Sequence, residues 1–169
     1  MGENGRYFYG SGNLSQEMFQ SSNNIYVGEH RRNTDEKGRV LLPAKWRFES
    51  DQNEIYIAIP SPSGCIIVYP PKMVEKLREK ASNVSLGDKK GQKTLTKLFS
   101  RADQLTCDGQ GRILLNQMLY AHGGLNREIL MVGNFITFSI WDPARYEKYL
   151  SKDEEEDDEI SVILTQLGL

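Results

Sequence analysis

Two arginines, each directly after a glycine, are the residues of this chain best suited to chemistry. Arg39 closes Asp35-Glu36-Lys37-Gly38-Arg39, and Arg112 closes Asp108-Gly109-Gln110-Gly111-Arg112, with the two glycines 73 residues apart. A guanidinium presents a planar fork of N–H donors that matches phosphate, or O6 and N7 of guanine, bidentately. Gly38 and Gly111 let the backbone approach a phosphate closely. Basic character is concentrated on the first copy: His30, Arg31 and Arg32 precede Asp35, and Lys37 and Arg39 follow it. The second copy has neutral Gln110 in place of Lys37, and Ala102-Asp103-Gln104 where the first has the arginine pair. Arg39 is therefore the expected main contact to a polyanion, supported by Lys37, Arg31 and Arg32, with Arg112 the weaker partner. Asp35 and Asp108 read as turn carboxylates that bond their own backbone, which is architecture before acid–base chemistry.

Other chemistries find no support. His30 and His122 are the only histidines and Cys65 and Cys107 the only cysteines, and their scatter has no zinc spacing. No nucleophile elbow, Walker loop or dinucleotide fingerprint occurs. An enzyme is not expected, nor a cofactor, metal or small-molecule substrate. The cysteines are expected to be reduced and buried rather than bridged. No apolar stretch reaches membrane-spanning length and no secretory leader is visible, so a cytoplasmic protein is expected. The formal charge of −2 says little about nucleic acid, because seven consecutive acids occupy residues 153–159; setting them aside leaves +5.

The elements that must position the arginines repeat with them. Each Asp-x-x-Gly-Arg turn runs into an apolar strand, Val40-Leu41-Leu42 or Ile113-Leu114-Leu115. In the first copy Pro43 sets up a helix over residues 44–49; in the second a helix spans 116–122 and stops at Gly123-Gly124. Two further strands follow each copy, Glu54 to Ile59 with Cys65 to Tyr69, and Glu128 to Gly133 with Thr137 to Trp141. A proline then starts a helix, at Pro71 and at Pro143, the latter capped by Asp142. Between the repeats, Met73, Val74, Leu77 and Ala81 make one helical stripe, and Leu95, Leu98, Phe99 and Ala102 another, with a loop over 82–92. Both stripes are expected in the core. Residues 1–24, rich in Gly, Ser, Asn and Gln, read as a flexible arm. After the acidic run, Ile160, Ile163, Leu164 and Leu167 form a helical stripe in need of a partner. A repeat this long means two halves that pack together because neither buries its own strands.

On these residues the chain resembles the MraZ family, with its two SpoVT-AbrB-type repeats. The resemblance runs from about Ile25 to the C-terminus. It rests on Tyr26-x-Gly28, Asp35-x-Lys37-Gly38-Arg39 with Pro43, Asp108-x-Gln110-Gly111-Arg112, Gly123-Gly124-Leu125 and Ile140-Trp141-Asp142. The chain departs from the family pattern at Asn116, where a proline often sits, and at Thr96, where an arginine is usual and Lys97 stands beside it. The resemblance implies an α+β fold in which two pseudo-symmetric repeats, 28–71 and 102–145, intertwine into a small β-barrel with external helices. A helical linker at 72–101 and an acidic, amphipathic C-terminal helix at 146–169 complete the expected organisation. It further implies a nucleoid-associated, sequence-specific regulator that binds double-stranded promoter DNA. Such proteins form homo-oligomeric rings on short direct repeats before a cell-division and cell-wall gene cluster. The rival reading is a ring-forming interaction scaffold that uses the same surface for an acidic protein partner.

Overall fold

A computed structural model describes residues 24–151 and 156–168. In chain order the elements are β1 (Glu29–Asn33), β2 (Arg39–Leu41), β3 (Ile55–Pro60), β4 (Ile66–Tyr69), α1 (Pro71–Ser82) and α2 (Lys89–Phe99). The second half continues with β5 (Asp103–Thr106), β6 (Arg112–Leu114), α3 (Gln117–Gly123), β7 (Glu128–Gly133), β8 (Phe138–Trp141), α4 (Pro143–Leu150) and α5 (Glu156–Gln166). The fold is α+β, built on antiparallel pairing.

The pairing interleaves the two repeats. Six strands form one sheet in the order β1-β7-β8-β4-β3-β5, and β2 pairs with β6 in a separate ribbon. Exchanging each strand for its counterpart (β1 for β5, β3 for β7, β4 for β8) turns that order into its own reverse. The sheet therefore has a pseudo-twofold axis between β4 and β8. The edge strand of each repeat lies on the other repeat: β1 pairs β7 from Glu29↔Val132 to Asn33↔Glu128, and β5 pairs β3 from Asp103↔Ala58 to Thr106↔Ile55.

The core lies within this strand framework. Val40 and Ile113, paired across the ribbon, are fully buried with Leu42, Ile66, Leu119, Ile129, Met131, Phe138 and Ile140. Trp46 sits at its centre, with its ring 5.5 Å from Tyr26 and 5.3 Å from Phe138. A smaller cluster of Cys65, Leu130 and Trp141 forms apart from it, with Tyr146 of α4 against it. Cys65 and Cys107 are both free thiols, the first buried and the second half-buried.

Three expectations fail on particular residues. The helix expected over 44–49 is two 3-10 turns, Ala44–Trp46 and Glu49–Asp51. Arg47 leaves helical geometry at φ −96° and ψ 85°. This break lets Trp46 and Phe48 both reach Tyr26, so ring packing overrides the helix signal. The linker loop is shorter than expected, because the Asp88 carboxylate accepts from the Lys90 and Gly91 amides and starts α2 at Lys89. Neither α1 nor α2 is in the core. No residue of either helix is buried, Leu95 and Phe99 are half-buried, and Leu98 is 40% exposed. The strands, with Tyr26, Trp46 and Leu119 of α3, fill the interior and leave α1 and α2 outside it.

In place of one helix over 146–169, α4 ends at Leu150 and α5 runs from Glu156 to Gln166, with Ile160, Ile163 and Leu164 exposed on it and Leu167 exposed just past its end. The arm expected over residues 1–24 lies outside the described residues except for Asn24. None of the described helices is long and apolar enough to cross a membrane. Replacing a buried tryptophan with alanine costs about 3–5 kcal/mol. Trp46→Ala should lower the urea midpoint accordingly, with little change in the slope of the transition.

Candidate nucleic-acid interface

Both Asp-x-x-Gly-Arg segments fold into the same turn. The Gly38 amide donates to the Asp35 carbonyl at 2.9 Å and the Asp35 amide to the Arg39 carbonyl at 3.0 Å; the second copy repeats this at 2.8 and 2.9 Å. The glycines adopt φ +75° and +81°, the left-handed turn position that closes a short β connection. Each aspartate then clamps its turn. Asp35 Oδ1 accepts from the Lys37 and Arg39 amides, both at 2.9 Å, while Oδ2 takes the Arg39 Nε–H at 2.6 Å. Asp108 accepts likewise from the Gln110 and Arg112 amides and from Arg112 Nε at 2.8 Å, and its Oδ2 also lies 2.8 Å from Arg112 Nη2. The backbone bond from Arg39, aided by its side chain, holds the Asp35 carboxyl below its ordinary value. The Arg112 side chain and amide hold Asp108 down at about 2.

The ribbon decides where the arginines point. Its register pairs Arg39 with Leu114 and Leu41 with Arg112, and the alternation of a strand puts all four on one face while Val40 and Ile113 point inward. Arg39 and Arg112 are brought together on this face, with Leu41 and Leu114 exposed between them. Lys37 lies at the tip of the first turn, exposed.

The residues before Asp35 do not join them as one patch. Arg31 is exposed but paired, 3.0 Å from Glu128 and 3.7 Å from Glu147. Arg32 points to the opposite side of β1, half-buried, and donates to the Arg31 carbonyl at 2.9 Å. His30 shares that side, edge-on to Trp46 with its Nε2 buried and without a hydrogen-bond partner.

Two residues at the site escaped the sequence reading. Tyr120 and Arg47 each lie nine positions after the glycine of their own repeat, and each covers the turn of the other. The Tyr120 hydroxyl donates to the Gly38 carbonyl at 2.8 Å. The Arg47 side chain occupies the space into which a Cβ on Gly111 would project, with its Nε donating to the Leu42 carbonyl at 2.8 Å. The equal offset was the available signal, hidden because the residue types differ.

Burial pushes the Cys65 and Cys107 thiols up, away from the reactive thiolate. No group of His, Cys, Asp and Glu with metal-holding geometry occurs among the described residues. His122 sits at the end of α3 with its Nε2 2.7 Å from the Ser61 carbonyl. Asn116, off the family pattern, caps α3 by accepting from the Leu119 amide at 2.9 Å.

The interleaved turns and ribbon now meet the comparison with known sequences. A family model for "MraZ protein, putative antitoxin-like" matches this chain twice, over residues 25–97 and 98–162. The chain belongs to the MraZ family. It is 32% identical to the transcriptional regulator MraZ of Pediococcus pentosaceus over 145 residues, which are 86% of this chain and the whole of that protein. The corresponding protein of Halothermothrix orenii is 30% identical over the same shares of both chains. That of Rickettsia rickettsii is 33% identical over 131 residues, 76% of this chain and 88% of its own.

Two outcomes follow for the turns. A depressed carboxyl contributes stability that is complete above its unfolded value, near 3.8, and is lost as pH falls toward the folded value of about 2. Acid titration of wild type should show this loss between pH 4 and 2, and Asp108→Asn should flatten it. Alanine at either turn glycine should cost about 1–2 kcal/mol from its positive φ. By urea unfolding Gly111→Ala should cost more than Gly38→Ala, because only the former must also displace Arg47.

Proposed function

We propose that this chain is a sequence-specific DNA-binding transcriptional regulator, with the outer face of the β2–β6 ribbon as its reading surface. The observation that carries this reading is the placement of Arg39 and Arg112 on one face, with Lys37 at its margin. A two-stranded ribbon fits the major groove of B-DNA. From the Arg39 guanidinium Asp35 takes only the Nε–H, so the two terminal amino groups stay in position for guanine O6 and N7. Leu41 and Leu114 offer apolar contact to thymine methyl groups. Arg112 gives Asp108 both Nε and a terminal nitrogen, and so has less of its fork to offer. The first repeat is the stronger reader.

The name carried by the relatives, transcriptional regulator MraZ, supports the same reading. We extend it to assembly: the chain forms a homo-oligomeric ring whose subunits each address one of several short direct repeats before a cell-division and cell-wall gene cluster. A body charge of only +5 gives each subunit weak contact with DNA, and linkage of several subunits multiplies it. Association with the nucleoid in the cytoplasm follows from that activity.

Fluorescence anisotropy on the chain's own upstream DNA, against scrambled DNA at two salt concentrations, tests this. Arg39→Ala should lose about 1–3 kcal/mol per engaged site and lose preference for the native sequence. Lys37→Ala should weaken both DNAs equally and lower the salt slope by about one. Wild-type binding by Arg39→Ala, or equal affinity of wild type for both DNAs, overturns the reading.

A further inference from the structure

Helix α2 is an amphipathic helix that lies outside the core, with Leu95 and Phe99 only half-buried. None of its residues is buried, and it makes no extensive contact with any strand or helix. Its sequence is also one-sided in charge. Lys89, Lys93 and Lys97 recur every fourth residue, Arg101 continues the row past the helix end, and Lys90 flanks it. All five are exposed, and none forms an ion pair among the described residues. No Asp or Glu occurs between Asp88 and Asp103 to offset them. Beside the row Leu98 is 40% exposed, and Leu86, just before the helix, is 91% exposed. A face of this kind asks for a partner with acids and an apolar stripe in one segment.

The chain itself carries such a segment. Residues 153–159 are seven acids, and Ile160, Ile163, Leu164 and Leu167 follow them at helical spacing. The four apolar residues are 57%, 53%, 42% and 68% exposed on α5 and just past its end, so they do not fold back onto the domain that carries them. We infer that the acidic C-terminal segment of one copy docks on the α2 face of a second copy. Its carboxylates meet the Lys89/Lys93/Lys97/Arg101 row, and its apolar stripe covers Leu98 and Leu86. DNA phosphate would match the lysines but would leave the leucines and the tail stripe uncovered. This inference rests on the self-assembly proposed above and assigns one of its contacts.

Charge reversal with mixing tests it on the full chain. One variant carries Lys93→Glu and Lys97→Glu; the other carries Asp157→Lys and Asp158→Lys. Lys93 and Lys97 are exposed, and circular dichroism of both variants should give unchanged melting. By mass photometry wild type should assemble. Each variant alone should need about tenfold or more higher concentration to do so, and an equimolar mixture should recover much of the loss. Recovery requires contact between copies, since a tail folding onto its own α2 gains nothing from mixing. As a second measurement, a photo-crosslinker at Leu98 should capture peptides from 153–167 of another copy.

Wild type remaining at the single-chain mass of 19.3 kDa overturns the assembly reading and this inference together. Wild-type assembly that both variants retain unchanged overturns this inference alone. Variants that keep their size while the α2 reversal weakens binding to all DNA assign α2 to phosphate and also overturn it.

Discussion

Three residue pairs on the pseudo-twofold axis, Arg39↔Leu114, Val40↔Ile113 and Leu41↔Arg112, are the constraint from which the rest of the site follows. Strands of three residues hold no structure by themselves. The ribbon persists because Val40 and Ile113 are buried beneath it and because each repeat supplies the other's missing partners. The Leu42 amide donates to the Gly111 carbonyl at 2.9 Å, and Tyr120 bonds the Gly38 carbonyl. Neither turn is complete within its own repeat. Duplication is thus structural before it is functional: two halves are needed for one core, and the proposed reading surface forms along their seam.

Within that symmetry the chain has diverged in a way that moves charge. Lys37 of the first turn corresponds to neutral Gln110 of the second. Arg47, from the first repeat, crosses to the second turn and lies against Gly111. Tyr120, its counterpart, makes the reciprocal crossing as an uncharged hydroxyl. Each turn therefore has one cation beyond its own arginine-aspartate pair: Lys37 on the first, which Tyr120 covers, and Arg47 on the second, which is itself the cover. The cation is exposed at the tip of one turn and laid against the backbone of the other. That difference in placement, more than in charge, separates the two halves.

The repeat, the turns, the strand order within each half and the cap at Asp142 were legible because each is a local pattern. The site was legible as far as its arginines, because Gly-Arg at matching repeat positions is itself a local signal. What escaped depends on the third dimension. Arg31 reads as a neighbour of Arg39 but belongs to Glu128, which is 97 residues away in sequence and becomes adjacent only through the β1–β7 ladder. Arg32 is adjacent to Arg31 in sequence and opposite in space, by the alternation of a strand. The stripes of α1 and α2 read as core because periodicity reports that a face is apolar, not what covers it. The 3-10 turns at 44–51 replaced a helix because three aromatic rings around Tyr26 outweighed local propensity.

The Asp–Gly–Arg clamp gives a physical reason for the proposed division of labour on the DNA face. A carboxylate 2.6 Å from Arg39 Nε cancels much of the guanidinium's long-range attraction for a phosphate. It also fixes the plane of the fork, so less conformational entropy is lost when the terminal amino groups engage a base edge. Attraction is reduced everywhere while directional bonding is retained at one geometry, and that combination favours discrimination over grip. Lys37 has no such partner among the described residues and supplies the opposite quality, an unscreened point charge. On the proposed reading, a subunit built this way would bind any one stretch of DNA weakly and selectively. Such a subunit gains most from linkage to others like it, since joining several selective, weak contacts raises affinity for a correctly spaced array far more than for random sequence.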